Sequence, residues 1–190
     1  RYPREDAVFL DDRASGASVQ NRPDLINAYD NTIVYTDKLL DDVIMALDSL
    51  NVPAVMVYTS DHGEDIFDDA RGRFLHASPT PTYYQLHVPM LLWTSSEYAA
   101  LFPEKIKAMH RNAHRYVSST RSLFHTILDM AGIDSPQYDP SLSVMSGVYR
   151  SPQARYLNDY NESIMMSRSG LRTPDFEQMR RYGFPVVPED

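Results

Sequence analysis

Val52-Pro53-Ala54-Val55-Met56-Val57-Tyr58-Thr59-Ser60-Asp61-His62-Gly63-Glu64 is the stretch whose reading decides the fold. Its apolar run predicts a short buried strand over 54–60 that stops at a carboxylate, an imidazole and a glycine. Aspartate oxygen and neutral histidine nitrogen are both standard zinc donors. Gly63 lets the chain turn sharply just behind them. Ligands of α/β sheets bind beyond the carboxyl ends of strands, which is where Asp61 and His62 fall.

Upstream, Pro23-Asp24 reads as a helix start. Leu25, Ile26, Tyr29, Ile33, Thr36, Leu40, Val43, Ile44 and Leu47 then recur at helical spacing. They predict a long amphipathic helix over 24–50, ended by Asn51 and Pro53. Downstream, 63–86 reads as a long loop, a length usually tied to function. His87 to Thr94 reads as a second buried strand. Helix, strand, loop and strand together predict an α/β layered domain. Residues 97–115 read as helical and polar. Residues 120–131 read as a stronger helix with Leu123, Phe124, Ile127, Leu128 and Ala131 on its apolar face and Gly132 as its stop. A strand or two is expected within 156–166, and 170–190 reads as a peripheral tail. The expected division is 1–150 as the catalytic-type unit and 151–190 as a C-terminal extension.

The chain has 190 residues, 43% of them apolar, enough for one globular domain with a sizeable core. A net charge of -8 argues against general binding of nucleic acid, which relies on basic side chains at phosphates. Cysteine is absent, so disulfides and thiolate metal sites are excluded. No apolar stretch is long enough to span a membrane. The opening Arg1-Tyr2-Pro3-Arg4 has no initiator Met or signal-peptide pattern and reads as an internal piece of a longer protein.

Four segments stand in a fixed order: Asn27-Ala28-Tyr29-Asp30-Asn31-Thr32-Ile33-Val34-Tyr35-Thr36-Asp37, Ser60-Asp61-His62-Gly63-Glu64, Leu75-His76-Ala77-Ser78-Pro79 and His87-Val88-Pro89-Met90-Leu91-Leu92-Trp93. Over residues 1–145 this order resembles the C-terminal part of the catalytic domain of lipid A phosphoethanolamine transferases, within the alkaline phosphatase and sulfatase superfamily. Ser122 to Leu128 and Tyr138-Asp139-Pro140 fit as well.

The resemblance implies an α/β, alkaline phosphatase-like three-layer sandwich, of which this chain would be the C-terminal portion. It implies zinc-dependent transfer of phosphoethanolamine from phosphatidylethanolamine to lipid A or another envelope glycan, through a covalent threonine intermediate. Asp61 and His62 match the family's C-terminal pair of zinc ligands. His76 matches a histidine near the donor phosphate or a second zinc, and is the catalytic candidate. Glu64 either orients an imidazole from outside the ligand shell or simply starts a helix. The nucleophile, the first carboxylate ligand and a membrane anchor would lie upstream, placing the parent protein in the periplasm at the bacterial inner membrane. The isolated chain is therefore expected to be inactive, to hold zinc weakly, and to self-associate through exposed sheet edges. Two departures are the missing cysteines and Ala77 where the family usually has glycine. The alternatives are a sulfatase or phosphodiester hydrolase, with calcium as the metal if a sulfatase, and a scaffold piece without catalysis.

Other conspicuous residues read as structural. His110 and His114 share a helix face but lack the intervening Glu of a metalloprotease motif. His125 is expected to be packed or hydrogen-bonded, and His87 to serve a strand end in preference to the active-site edge. Asp30, Asn31 and Asp37 read as a polar helix face bonding to a loop. Asp65, Asp68 and Asp69 lack the spacing of a calcium loop. Tyr83 and Tyr84 either pack on the loop or line a lipid-facing site. Asn161-Glu162-Ser163 is a formal glycosylation sequon without expected meaning.

Overall fold

The structure is a computed structural model and describes residues 2–76, 80–158 and 160–184. Helix α1 spans Arg22–Asp48, with Pro23 in its first turn. It ends before Asn51, whose positive φ of 51° turns the chain toward Pro53. Asn27 and Asn31 lie four apart, on one face. Asn27 Nδ2 donates to Asp11 O at 2.9 Å. Buried Asn31 accepts from the N–H groups of Val8 and Phe9 at 2.8 and 3.0 Å and donates to Phe9 O at 2.8 Å. The two asparagines of the first motif thus fasten the N-terminal segment to α1, the helix-to-loop role expected for Asn31.

Strand β1 (Val55–Thr59) ends at Ser60. The expected loop contains the short strands β2 (Asp65–Ile66) and β3 (Phe74–Leu75), paired antiparallel, and helix α2 (Tyr83–Leu86). Strand β4 (Met90–Thr94) runs antiparallel to β1, with Val57 opposite Leu92 and Thr59 opposite Met90. The expected helix over 97–115 is two: α3 (Ser96–Leu101) and α4 (Pro103–Asn112). Pro103 separates them because it has no N–H to continue a helical ladder. Helix α5 (Ser119–Ala131) stops at Gly132, whose φ of 64° needs no Cβ.

The core lies on one face of the β1–β4 ladder, where Tyr98, Met130 and Met145 meet Val55, Val57, Leu92, Ile106 and Met109. Tyr58, one residue on from Val57, faces the other way. Helix α5 packs against β1, and α1 against β2.

The buried face of α5 differs from the sequence expectation. Ser122, Thr126 and Met130 are buried, whereas Phe124 and Ile127 are 53% and 46% exposed. Thr126 Oγ1 accepts from Val144 N–H at 3.2 Å. The small hydroxyl face admits the 143–145 backbone closely, which the larger apolar side chains would not.

Strands β5 (Arg155–Leu157) and β6 (Ser163–Met165) form the hairpin expected within 156–166. Helix α6 (Thr173–Arg181) follows. It buries Asp175 and Met179, so the described part of 170–190 is not a loose tail. None of the described helices is long and apolar enough to cross a membrane.

Candidate metal centre

The centre begins where β1 runs out. Ser60 Oγ donates to His62 O at 2.8 Å, and His62 N–H donates to Asp61 Oδ1 at 3.0 Å. These local bonds fold the chain back on itself and send Asp61 outward, its side chain 87% exposed. The N–H groups of Asp61 itself and of His62 hold the Asp61 carboxyl below the usual carboxylate range, with His62 adding to the effect.

Gly63 is required here by close approach. Its N–H donates to Gln85 O at 2.8 Å, and a Cβ would lie 2.1 Å from Tyr84 O. No side chain fits, so glycine lets the ligand turn sit flush on α2.

The β2–β3 pair returns the chain to the turn and delivers His76. Its Nδ1 lies 3.0 and 3.1 Å from the two Glu64 carboxylate oxygens. Glu64 Oε1 is also 3.9 Å from His62 Nδ1, and the two imidazole rings lie 3.7 Å apart. One donor atom each from His62, Glu64 and His76 falls within 4.8 Å of the others. Donors about 2.0–2.2 Å from one zinc stand a little over 3 Å apart, so this set needs only small side-chain shifts to close on an ion. Two nitrogens and a carboxylate oxygen suit zinc chemistry.

Asp61 stays at the rim, its Oδ2 3.7 Å from His62 Nε2. The structure therefore gathers His62, Glu64 and His76 most tightly, with Asp61 beside them. Ala77, Ser78 and Pro79 lie outside the described residues, so the glycine-to-alanine departure at Ala77 has no structural account.

Asp61, His62 and His76 line one side of a cavity of about 710 Å³. Tyr83, His87, Tyr116 and Phe184 line it as well. Tyr83 Oη bonds His87 Nδ1 at 2.5 Å. Burial pushes the Tyr83 phenol up to about 12 and pulls the His87 imidazole down. The phenol therefore serves as the donor and His87 as a neutral acceptor. Phe184 meets His87 edge-on at 4.8 Å. Tyr83 thus bonds His87 at the end of α2 and lines the cavity. Phe184, Tyr116 and the helix α6 carried no sequence signal.

Beneath the centre, buried Asp65 accepts from Thr82 Oγ1 at 2.8 Å and from Gln85 Nε2. Burial raises its pKa in spite of these bonds. His125 accepts from Asp139 N–H at 3.0 Å, the hydrogen-bonded role expected of it.

A strand that ends in Asp-His-Gly, with an imidazole–carboxylate–imidazole group behind it, is a candidate metal centre. The sulfatase family model matches residues 1–133, and the chain belongs to that family. Within it, the chain is similar to the phosphoethanolamine transferases. It is 28% identical over 177 residues to phosphoethanolamine transferase EptC of Escherichia coli (strain K12), covering 90% of this chain and 30% of that protein.

Two solved structures of the C-terminal periplasmic domain of EptC from Escherichia coli match the fold. One has a TM-score of 0.72 at 28% identity; the other, a complex with zinc, has a TM-score of 0.64 at 26% identity. Each match covers 90% of this chain and 48% of the solved domain. The fold is thus α/β and alkaline phosphatase-like, and the chain spans about half the length of these solved domains.

Proposed function

We propose that this chain supplies one face of the active site of a zinc-dependent transferase. That enzyme would move phosphoethanolamine from phosphatidylethanolamine to lipid A or another cell-envelope glycan. The observation that carries the reading is the convergence of His62, Glu64 and His76 at the end of β1. Imidazole nitrogen favours zinc over calcium, which takes oxygen ligands. The zinc complex of the similar EptC domain supports the same choice.

When bound, zinc would neutralise charge developing on phosphoryl oxygens and make a coordinated hydroxyl a competent nucleophile. His62, Glu64 and His76 would hold the ion, and Asp61 would bring further negative charge to its rim. The Nδ1 edge of His76 is turned to Glu64, which leaves Nε2 to give a proton to a leaving oxygen or to hold a phosphoryl oxygen. The aromatic wall of Tyr83, His87 and Phe184 would keep water from the reacting group. The attacking threonine matches no motif of this chain and would come from elsewhere in the transferase. A periplasmic site at the bacterial inner membrane goes with this reading.

The test is a chimera in which this chain replaces the matching stretch of Escherichia coli EptC. Mass spectrometry of the envelope glycolipids is expected to find added phosphoethanolamine, lost on Asp61→Ala or His76→Ala. A folded, zinc-loaded chimera that transfers nothing, or that instead cleaves a sulfate ester, would contradict the proposal.

A further inference from the structure

The hairpin that delivers His76 cannot hold itself. Its strands are two residues each, and an isolated two-stranded hairpin is marginal in water. Leu75, just before His76, sits at φ 63°, where a branched residue is strained. Such a conformation persists only when its surroundings fix it.

Thr82 and Gln85 hold the base of the hairpin at Asp65, and Arg22 Nε holds Ile66 O at 3.0 Å. The far end is held from α6. Arg71 forks onto Asp175 with two bonds of 2.7 Å while its Nε bonds Asp69 at 2.9 Å. The Arg71 side chain is 12% exposed and that of Asp175 is 0% exposed.

Asp175 does more than pair a charge. Its Oδ1 also accepts Tyr83 N–H at 2.8 Å, and its Oδ2 accepts Arg172 N–H at 2.9 Å. One carboxylate therefore ties together the hairpin tip, the start of α2 and the start of α6. Two further contacts act in the same direction. Gly170 abuts Thr80, where a Cβ would come within 2.7 Å of a methyl group. Tyr182 stacks on Tyr83 at 5.9 Å and Phe184 packs edge-on against His87. The family match stops at residue 133, well before Gly170, Asp175, Tyr182 and Phe184.

We propose that Asp175 is a positioning residue for the metal centre, holding His76 against Glu64 and His62 by clamping Arg71. The segment 170–184 thereby forms a working wall of the site. The proposal rests on the metal reading above for its consequence, but the clamp itself is measurable without metal.

The test uses the whole chain and the variants Asp175→Asn and Arg71→Lys. Without metal, amide hydrogen exchange in 65–76 is expected to speed up at least about tenfold in Asp175→Asn, with β1 and β4 changing by less than about twofold. Arg71→Lys keeps the charge but loses the fork, and is expected to fall between. With metal, zinc affinity is expected to drop roughly tenfold in Asp175→Asn, and the visible spectrum of bound cobalt(II) to change with the ligand geometry. If Asp175→Asn does not fold, Arg71→Lys carries the same readouts.

Unchanged exchange in the hairpin, or equal loss of protection throughout the chain, would overturn the proposal. Selective loosening of the hairpin in a chain that takes no zinc would uphold the clamp and overturn the zinc reading instead.

Discussion

The turn that carries the chemistry and the helix that steadies it are built in opposite ways. Asp61 and His76 stand near solvent at the end of a short strand, and the residues around them follow a readable pattern. Asp175 lies fully buried in the first turn of α6, in a stretch that carries no metal or catalytic motif. Donors must be reachable by an ion and substrate, so they stay open and contribute little to packing. Their support must be dry and crowded to hold a fixed position, so it carries the stability.

If that division is right, substitutions in the two regions separate cleanly. Asp175→Ala leaves Arg71 deprived of a buried partner and is expected to cost about 3–5 kcal/mol in urea unfolding. Gly63→Ala pushes a methyl group onto the Tyr84 carbonyl and is expected to cost about 3 kcal/mol.

Acid is expected to loosen the support. Burial opposes ionisation of Asp175 and Asp129, but bonds from Arg71 to the first and from Lys105 to the second outweigh it and lower both values. A carboxylate lowered in the folded state stabilises fully above about pH 5 and loses that contribution as pH falls through its folded value. Thermal melts should show stability falling steeply toward about pH 3, with a flatter profile in Asp175→Asn. His76→Ala, by contrast, is expected to shift neutral-pH stability by less than about 0.5 kcal/mol. A large loss there would show that His76 is a packing residue and would erase the contrast.

The same contrast explains what could be read in advance. The β1 strand, its Asp-His-Gly end and α1 follow from local pattern, because apolar periodicity and turn chemistry act over a few residues. The place of Glu64 could be narrowed only to its neighbourhood, since its contact with His76 spans 12 positions and depends on the hairpin return. The bond between Arg71 and Asp175 spans 104 positions, and nothing local pairs the two. The face of α5 was misjudged for a related reason. Apolar spacing identifies a stripe, but the close approach of the 143–145 backbone decides which side is buried. Phe124 and Ile127 on α5, with Ile33, Leu39 and Val43 on α1, remain exposed in the chain. Weak self-association through such surfaces, together with the outer edges of β1 and β4, should appear in sedimentation at high concentration and vanish on dilution.

The most direct test of the centre is calorimetric titration of the chain with zinc, set beside Glu64→Gln. The account predicts one weakly held zinc per chain, with affinity reduced at least about tenfold in the variant. Equal binding by the two chains would contradict the grouping of His62, Glu64 and His76 as the metal-holding set.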